Sequence, residues 1–173
     1  MSAAREYLVF LAGQPLEDKP LLSRIITSAF FLSHDIRRDV VLRLVYPEFR
    51  VRVSLLGARL RHVHVDEQSL SGVLRRAERA ARGALQRAVS PHPGVLVEPV
   101  TRPVVSSECL LVDARAPWLS RELVDCNYSC FVISAGSSPE NAPSLRRVRV
   151  TAFPKPADTT LVVLNIELDR ICG

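Results

Sequence analysis

The chain reads as an α/β protein with a parallel sheet, and three observations carry that reading. Short apolar runs at residues 110–112, 130–134 and 148–152 are separated by turn-rich segments, the pattern of strands buried on both faces and joined by crossovers. Stretches beginning near residues 21, 67 and 159 instead repeat apolar residues at three- and four-residue steps, as one buried helix face requires. Finally, 173 residues with 47% hydrophobic and 24% charged side chains have the size and balance of one domain with a real core.

In chain order, Tyr7 to Ala12 alternates weakly and predicts a first strand, followed by a polar loop bracketed by Pro15 and Pro20. A helix is predicted from about Leu21 to Leu32, with Leu21, Leu22, Ile25, Ile26, Ala29 and Phe30 on its inner face. Val40 to Tyr46 and Val51 to Leu56 flank Pro47-Glu48-Phe49 and predict a hairpin that ends at Gly57. Asp66 is a candidate cap for a second helix over 67–89, whose stripe is Leu70, Val73, Leu74, Ala77, Ala81, Ala84, Leu85 and Ala88. Its other face carries Arg75, Arg76, Arg79, Arg82 and Arg87, readable as a solvated face or as a face for RNA phosphates. Pro91-His92-Pro93-Gly94 breaks the chain before a strand at Val95 to Val97. Strands follow at Leu110 to Val112, Cys130 to Ser134 and Val148 to Ala152. In the tail, Asp158 can cap a helix with Leu161, Leu164, Leu168 and Ile171 on one stripe.

Composition narrows the function classes. No apolar run approaches the roughly eighteen residues that span a bilayer, so no membrane partner is expected. Met1 to Gly13 has no secretory pattern, which leaves the cytoplasm as the expected location. The net charge is +5, and only Lys19 and Lys155 among the 23 basic residues are lysines. That arginine bias suits phosphate contacts, and equally fits gene composition or adaptation to heat. Cys109, Cys126, Cys130 and Cys172 lack zinc-site spacing, so no metal is expected. Free buried thiols are the expectation, since disulfides need an oxidising compartment or a heat-loving host. His62 and His64 are expected side by side on a surface strand. Gly-x-Ser-x-Gly, His-Glu-x-x-His and Walker phosphate loops are all missing, which argues against the hydrolase and nucleotidase chemistries they support.

The most informative stretch is Ser28 to Val41, Ser-Ala-Phe-Phe-Leu-Ser-His-Asp-Ile-Arg-Arg-Asp-Val-Val, a polar knot at a helix-to-strand junction. Asp35 and Asp39 can pair with Arg37 and Arg38, while arginines beside an aromatic pair suit holding an RNA backbone. A purely structural knot, or an acidic protein partner, fits the same residues. The block Ala29 to Val41 resembles the signature of the archaeal tRNA pseudouridine-54 N1-methyltransferases, the TrmY family of SPOUT proteins. Looser similarity continues through 51–80, Pro93-Gly94-Val95, Phe131-Val132-Ile133 and 146–169.

The resemblance implies a SPOUT-type α/β fold over residues 1–173, with a C-terminal trefoil knot forming the cofactor region at about 104–173. It implies S-adenosylmethionine (SAM) as cofactor, tRNA as substrate and a homodimer with each active site near the subunit interface. Carried over by position, the cofactor residues are Val112, Ser134, Gly136, the knot loop Val150-Thr151-Ala152-Phe153, and Thr160 in the closing loop 156–160. Arg24 is retained, and in the methyltransferase reading Arg24, Arg37 and Arg38 steer the RNA while His34 or Asp35, the catalytic candidates, shapes the base pocket. The chain departs from the family at Ser134-Ala135-Gly136, where the family has glycine, aspartate and histidine, and at Pro156 to Thr160, where histidines and a cysteine are usual. The family's acid before the first helix falls on Pro20. An RNA methyltransferase is the function implied. A non-catalytic dimer that kept RNA or protein binding, or an enzyme moved to another substrate, is the alternative that the departures leave open.

Overall fold

The structure, a computed structural model, describes residues 4–64, 67–83 and 85–173, with Glu67 by its backbone alone. Its centre is an eight-stranded sheet made of β1 (Ala4–Leu11), β2 (Val40–Tyr46), β3 (Val51–Leu56), β4 (Val89–His92), β5 (Val95–Pro99), β6 (Leu110–Val112), β7 (Tyr128–Ala135) and β8 (Arg147–Val148). The spatial order is β4-β5-β3-β2-β1-β7-β6-β8. From β2 to β8 every neighbouring pair is parallel, whereas β2/β3, β3/β5 and β4/β5 are antiparallel. The sheet is thus mixed, parallel only in the half that holds β1 and β6 to β8. The hairpin β2–β3 forms as the sequence predicts, turned by a 3-10 turn at Pro47–Phe49 with Arg50 in the left-handed region at φ 53°.

Three helices, α1 (Lys19–Phe30), α2 (Glu67–Arg82) and α3 (Ala157–Cys172), bury their apolar faces in one core with the strand residues Tyr7, Val9, Leu42, Leu44, Val53, Val97 and Phe131. The opposite sheet face has a smaller core of Leu8, Phe10, Val45, Cys109, Leu111, Cys130, Val132 and Leu145. Because β1, β2 and β7 alternate sides, odd and even positions divide between the two cores. Helix α1 begins two residues before the predicted start: Asp18 accepts a hydrogen bond from the Leu21 amide at 3.1 Å, and Pro20 sits in the first turn, where its missing N–H costs nothing.

Several expectations are corrected. The second helix stops at Arg82 before Gly83, so Leu85, Arg87 and Ala88 lie beyond it, and Leu85 still packs on the core. Asp66 and Ala84, read as a cap and a stripe position, lie outside the described residues. Residues 89–92, read partly as a break, form the edge strand β4, where a register irregularity between Val89 and His92 accommodates Pro91. His62 is in a bend at φ 53°, not on a strand with His64. The last strand is only Arg147–Val148, because Arg149 leaves β6 and exchanges backbone hydrogen bonds with Pro117 and Leu119. Asp158 lies inside the first turn of α3, and Pro156 holds the cap position.

The cysteines are not free thiols. Leu110 pairs with Phe131 in the β6/β7 register, which sets Cys109 opposite Cys130, and the two are bonded. Cys172 at the end of α3 is bonded to Cys126 in the approach to β7. Spacings of 21 and 46 residues carry no sign of these pairs; strand register and helix docking create them. Among the described residues, no helix is long and apolar enough to cross a membrane.

Candidate functional site

The predicted site residues divide between two ends of the sheet. At the carboxyl ends of β6 and β7, a cleft of about 340 Å³ is lined by Val112, Ser134, Thr151 and Thr160, four of the eight residues assigned to the cofactor. That volume lies within the roughly 300–1,000 Å³ of ligand clefts, and this is the edge where parallel sheets usually bind ligands. Leu111, Val112 and Ile133 supply an apolar floor, and Asp113, Ser134, Ser138 and Lys155 a polar rim.

Local hydrogen bonds hold that rim. The Asp113 carboxylate accepts from the Arg115 amide at 2.9 Å and from Arg147 at 2.7 Å. The backbone donor first, and then the guanidinium, keep its pKa below the ordinary carboxylate value. Ser134 and Ser138 share a hydroxyl hydrogen bond at 2.8 Å, and Thr151 donates to the Phe153 carbonyl at 2.7 Å. Thr160 is buried and donates to the Pro156 carbonyl at 3.0 Å, fixing the closing loop onto α3. Ser134 therefore sits at the lip, engaged with Ser138.

The other four assigned residues stand apart from this lining. Gly136 has φ +99° and bridges to Leu11, and an added Cβ would meet Ala12 Cβ at 3.1 Å. The glycine freedom needed at this turn is present two residues after Ser134. Val150 is core, Ala152 is exposed, and Phe153 is 72% exposed. Asp113 and Arg147 are rim residues that sequence reasoning passed over. A carboxylate just after the strand end at Val112 was the available signal.

Of the RNA-steering residues, Arg24 is nearest to this end of α1. Its Nε lies 3.3 Å from Asp158, two residues before Thr160. The signature lies at the opposite end. Register pairs Arg5 with Val40 and Phe10 with Ser134, so five residue steps along β1, about 17 Å, separate the two levels.

There His34, Asp35 and Arg38 line a pocket of about 560 Å³ together with residues 60–64. Asp35 accepts from the Ile36 amide at 2.7 Å and lies 3.7 Å from Arg38, whose guanidinium donates to the Gly57 and Leu60 carbonyls at 3.3 and 2.8 Å. The 57–64 loop packs this closely only because of glycines. A Cβ on Gly57 would strike the Arg37 and Val40 carbonyls, and one on Gly94 would lie 2.5 Å from the Leu60 nitrogen.

Arg37 faces away from that pocket, donating two hydrogen bonds to Asp169 of α3 at 3.0 and 2.6 Å. The same carboxylate accepts from Arg5 at 2.6 Å, and Arg5 also reaches Asn165 at 3.1 Å and Asp39 at 3.5 Å. Asn165 accepts from the Tyr7 hydroxyl at 2.7 Å and donates to the Ser28 carbonyl at 3.0 Å. This network joins the end of α1, the signature, β1 and α3. Burial opposes the charge on Arg5, but its hydrogen bond to Asp169 and the nearby carboxylates hold its pKa above the usual value. Asp169 is likewise opposed by burial and yet held below its usual value by Arg37 and Arg5.

Comparison with known proteins places the chain in a family. The profile of the family described as "Putative SAM-dependent RNA methyltransferase" matches residues 14–107, more than half of the chain. A tRNA (pseudouridine(54)-N(1))-methyltransferase of Haloferax volcanii is 39% identical over 79 residues, covering 44% of this chain and 39% of the relative. Proteins of the same name from Methanococcoides burtonii and Methanopyrus kandleri are 26% and 28% identical over 87% and 95% of this chain, and 82% and 92% of their own lengths. In fold, the chain is similar to Archaeoglobus fulgidus Nep1 bound to S-adenosylhomocysteine, with a TM-score of 0.60 over 99% of both chains at 10% identity. The cleft, apolar below and rimmed by hydroxyls, the Asp113 carboxylate and the cations Arg147 and Lys155, offers an apolar seat and polar partners to a nucleoside cofactor of this kind, and the chain belongs to the SAM-dependent RNA methyltransferase family.

Proposed function

We propose that this protein methylates N1 of a pseudouridine in the T-loop of tRNA, using SAM bound in the cleft at the ends of β6 and β7. The observation that carries the reading is the convergence of two strand ends, the 151–155 turn and Thr160 on one cleft with an apolar floor and a polar rim, in a chain similar over most of its length to enzymes of that name. SAM supplies an electrophilic methyl group, so that a N–C bond forms as the C–S bond breaks. The chain must seat the nucleoside, exclude water, align the nitrogen and accept its proton. Leu111, Val112 and Ile133 form the apolar seat, and Asp113 and Ser134 are placed to engage hydroxyls. We assign the 104–173 region to the trefoil knot, with the backbone pairing of 117–119 and Arg149 in support.

His34 and Asp35 are about 17 Å away along the sheet in the same chain. In this reading they act on the cofactor cleft of a second copy, in a homodimer. The exposed Val162 and Ile166, one turn apart on α3, and Phe153 beside the cleft support a second copy seated there. His34 and Asp35 then shape the base pocket and take the proton, while Arg24 and Arg38 steer RNA. The protein works in the cytoplasm, and its two disulfides belong with those of heat-loving hosts, where intracellular disulfides persist.

The test is transfer of a labelled methyl group to tRNA transcripts with pseudouridine or uridine at the T-loop position, with the product read by nucleoside mass spectrometry. N1-methylpseudouridine from the first substrate alone is expected. Cofactor binding with no transfer to either RNA would overturn the substrate. A monomer by sedimentation that remains fully active would overturn the shared site.

A further inference from the structure

We propose that the outer groove of α2 and the 59–64 loop form one track for the sugar-phosphate backbone of the RNA, leading into the pocket of the signature loop. The inference rests on the RNA reading above and extends it to a surface remote from the cofactor cleft.

A groove of about 530 Å³ runs along the exposed side of α2 between Arg75, Arg76 and Arg79. Ordinary solvated helices alternate charge so that residues four apart attract. Here Arg75 and Arg79 are four apart and alike, a spacing that disfavours the isolated helix. The acid lining the groove, Glu78, is already engaged by Lys19 at 2.6 Å and Arg82 at 2.7 Å. Arg61, Arg75 and Arg79 have no ion-pair partner among the described residues. Nothing among the described residues neutralises Arg61, Arg75 and Arg79, whereas a polyanion would.

The groove is joined to the signature pocket by specific contacts. Arg76 Nη1 lies 3.3 Å from Nδ1 of the buried His92, whose Nε2 lies 2.8 Å from the Arg61 carbonyl. One neutral tautomer satisfies both: Nδ1 accepts from Arg76 and Nε2–H donates to the carbonyl. The Ser69 hydroxyl donates to the His62 carbonyl and accepts from the His64 amide, both at 3.2 Å. These bonds fix the 59–64 loop against α2. The far side of the loop is a wall of the signature pocket, where Phe31, His34, His62 and His64 offer ring surfaces. A cationic groove that opens on a cluster of rings suits single-stranded or looped RNA, with phosphates on the arginines and an unstacked base among the rings.

The experiment compares tRNA binding over a range of salt for the wild type, for a triple variant Arg61→Gln, Arg75→Gln, Arg79→Gln, and for a control triple of equal charge loss, Arg102→Gln, Arg121→Gln, Arg170→Gln. Circular dichroism and S-adenosylhomocysteine binding report that the fold and the cleft are intact. The track triple should bind at least about tenfold more weakly at low salt, with a salt slope shallower by about two units, while the control keeps the wild-type slope. Equal slopes in the two triples would overturn the track and leave the RNA reading standing. A wild type that binds no tRNA would overturn both.

Discussion

The two ends of this sheet are built on different principles. The signature end is held by side-chain charges: Arg5, Arg37, Asp39 and Asp169 pair across three elements, with Asn165 and Tyr7 completing the set. The cleft end is shaped by where β6 and β7 stop and where the 151–160 segment turns, with side chains bonded mostly to nearby backbone or to each other. A charge network tolerates few substitutions, since losing one partner strands another. A cleft built largely from backbone leaves more freedom to the side chains that line it, Ser134 and Thr160 among them. A recognisable signature therefore marks the scaffold as much as the chemistry, and a divergent pocket need not be a dead one.

The comparison breaks most visibly if the cleft is filled. Ala114 lines it and is half-buried, so Ala114→Trp puts an indole into the slot without entering the core. S-adenosylhomocysteine affinity should fall by about 1,000-fold, equal to about 4 kcal/mol, in isothermal calorimetry. Binding of tRNA and the thermal midpoint should stay near the wild-type values. Retained cofactor affinity in a folded variant would place the nucleoside elsewhere.

Next comes the staple at the signature end. Replacing Cys126 and Cys172 together by serine reopens a loop of 46 residues, which chain entropy sets at about 3 to 4 kcal/mol of stability. Denaturant unfolding of the double variant should show that loss, with cofactor affinity changed less than about threefold. A thiol titration of the unfolded wild type without reductant should find no reactive cysteine.

That pair also indicates how far the sequence could be read. Helices α1 and α3, the β2–β3 hairpin and strands β6 and β7 follow from apolar spacing, because each buries its own regular face. The Cys109–Cys130 bond depends on the β6/β7 register, β8 is cut short by backbone pairing with Pro117 and Leu119, and β4 survives Pro91 by lying at an edge. Those are long-range facts, absent from any local pattern. For the site, four of the eight positions taken from resemblance, Val112, Ser134, Thr151 and Thr160, line one cleft, and nothing in the sequence told that the signature lies at the other end. Nor did the spacing of Arg37 and Arg38 reveal that neighbours in sequence turn to different partners.

The Asp169 carboxylate gives a smaller effect with a defined pH signature. Asp169→Asn keeps the shape but removes the charge shared by Arg5 and Arg37, at a cost of about 2 kcal/mol. In the wild type the folded-state pKa of Asp169 is lowered, so the unfolded chain binds the proton more readily. Its contribution is complete above the unfolded value of about 4 and is lost as pH falls through the folded value. Stability of the variant should accordingly fall less steeply than that of the wild type below about pH 4. Parallel curves would mean that another group carries the acid sensitivity.

The smallest effect separates the two adjacent arginines. Arg38 is exposed, bonded to carbonyl oxygens that water can replace and only loosely paired with the exposed Asp35 at 3.7 Å, which leaves its charge available to a phosphate; Arg37 spends its charge on Asp169. Arg38→Gln should weaken tRNA binding by about 1 kcal/mol and flatten the salt slope by about one unit. Arg37→Gln should lower the thermal midpoint and leave the slope unchanged, since a cation already paired inside the protein releases few counterions from RNA. The reverse result would mean that the Arg37–Asp169 pair opens when RNA binds, with α3 and the signature exchanging an internal partner for a phosphate. The two ends of the sheet would then be coupled through α3, whose first turn closes the cleft and whose last turns hold the signature.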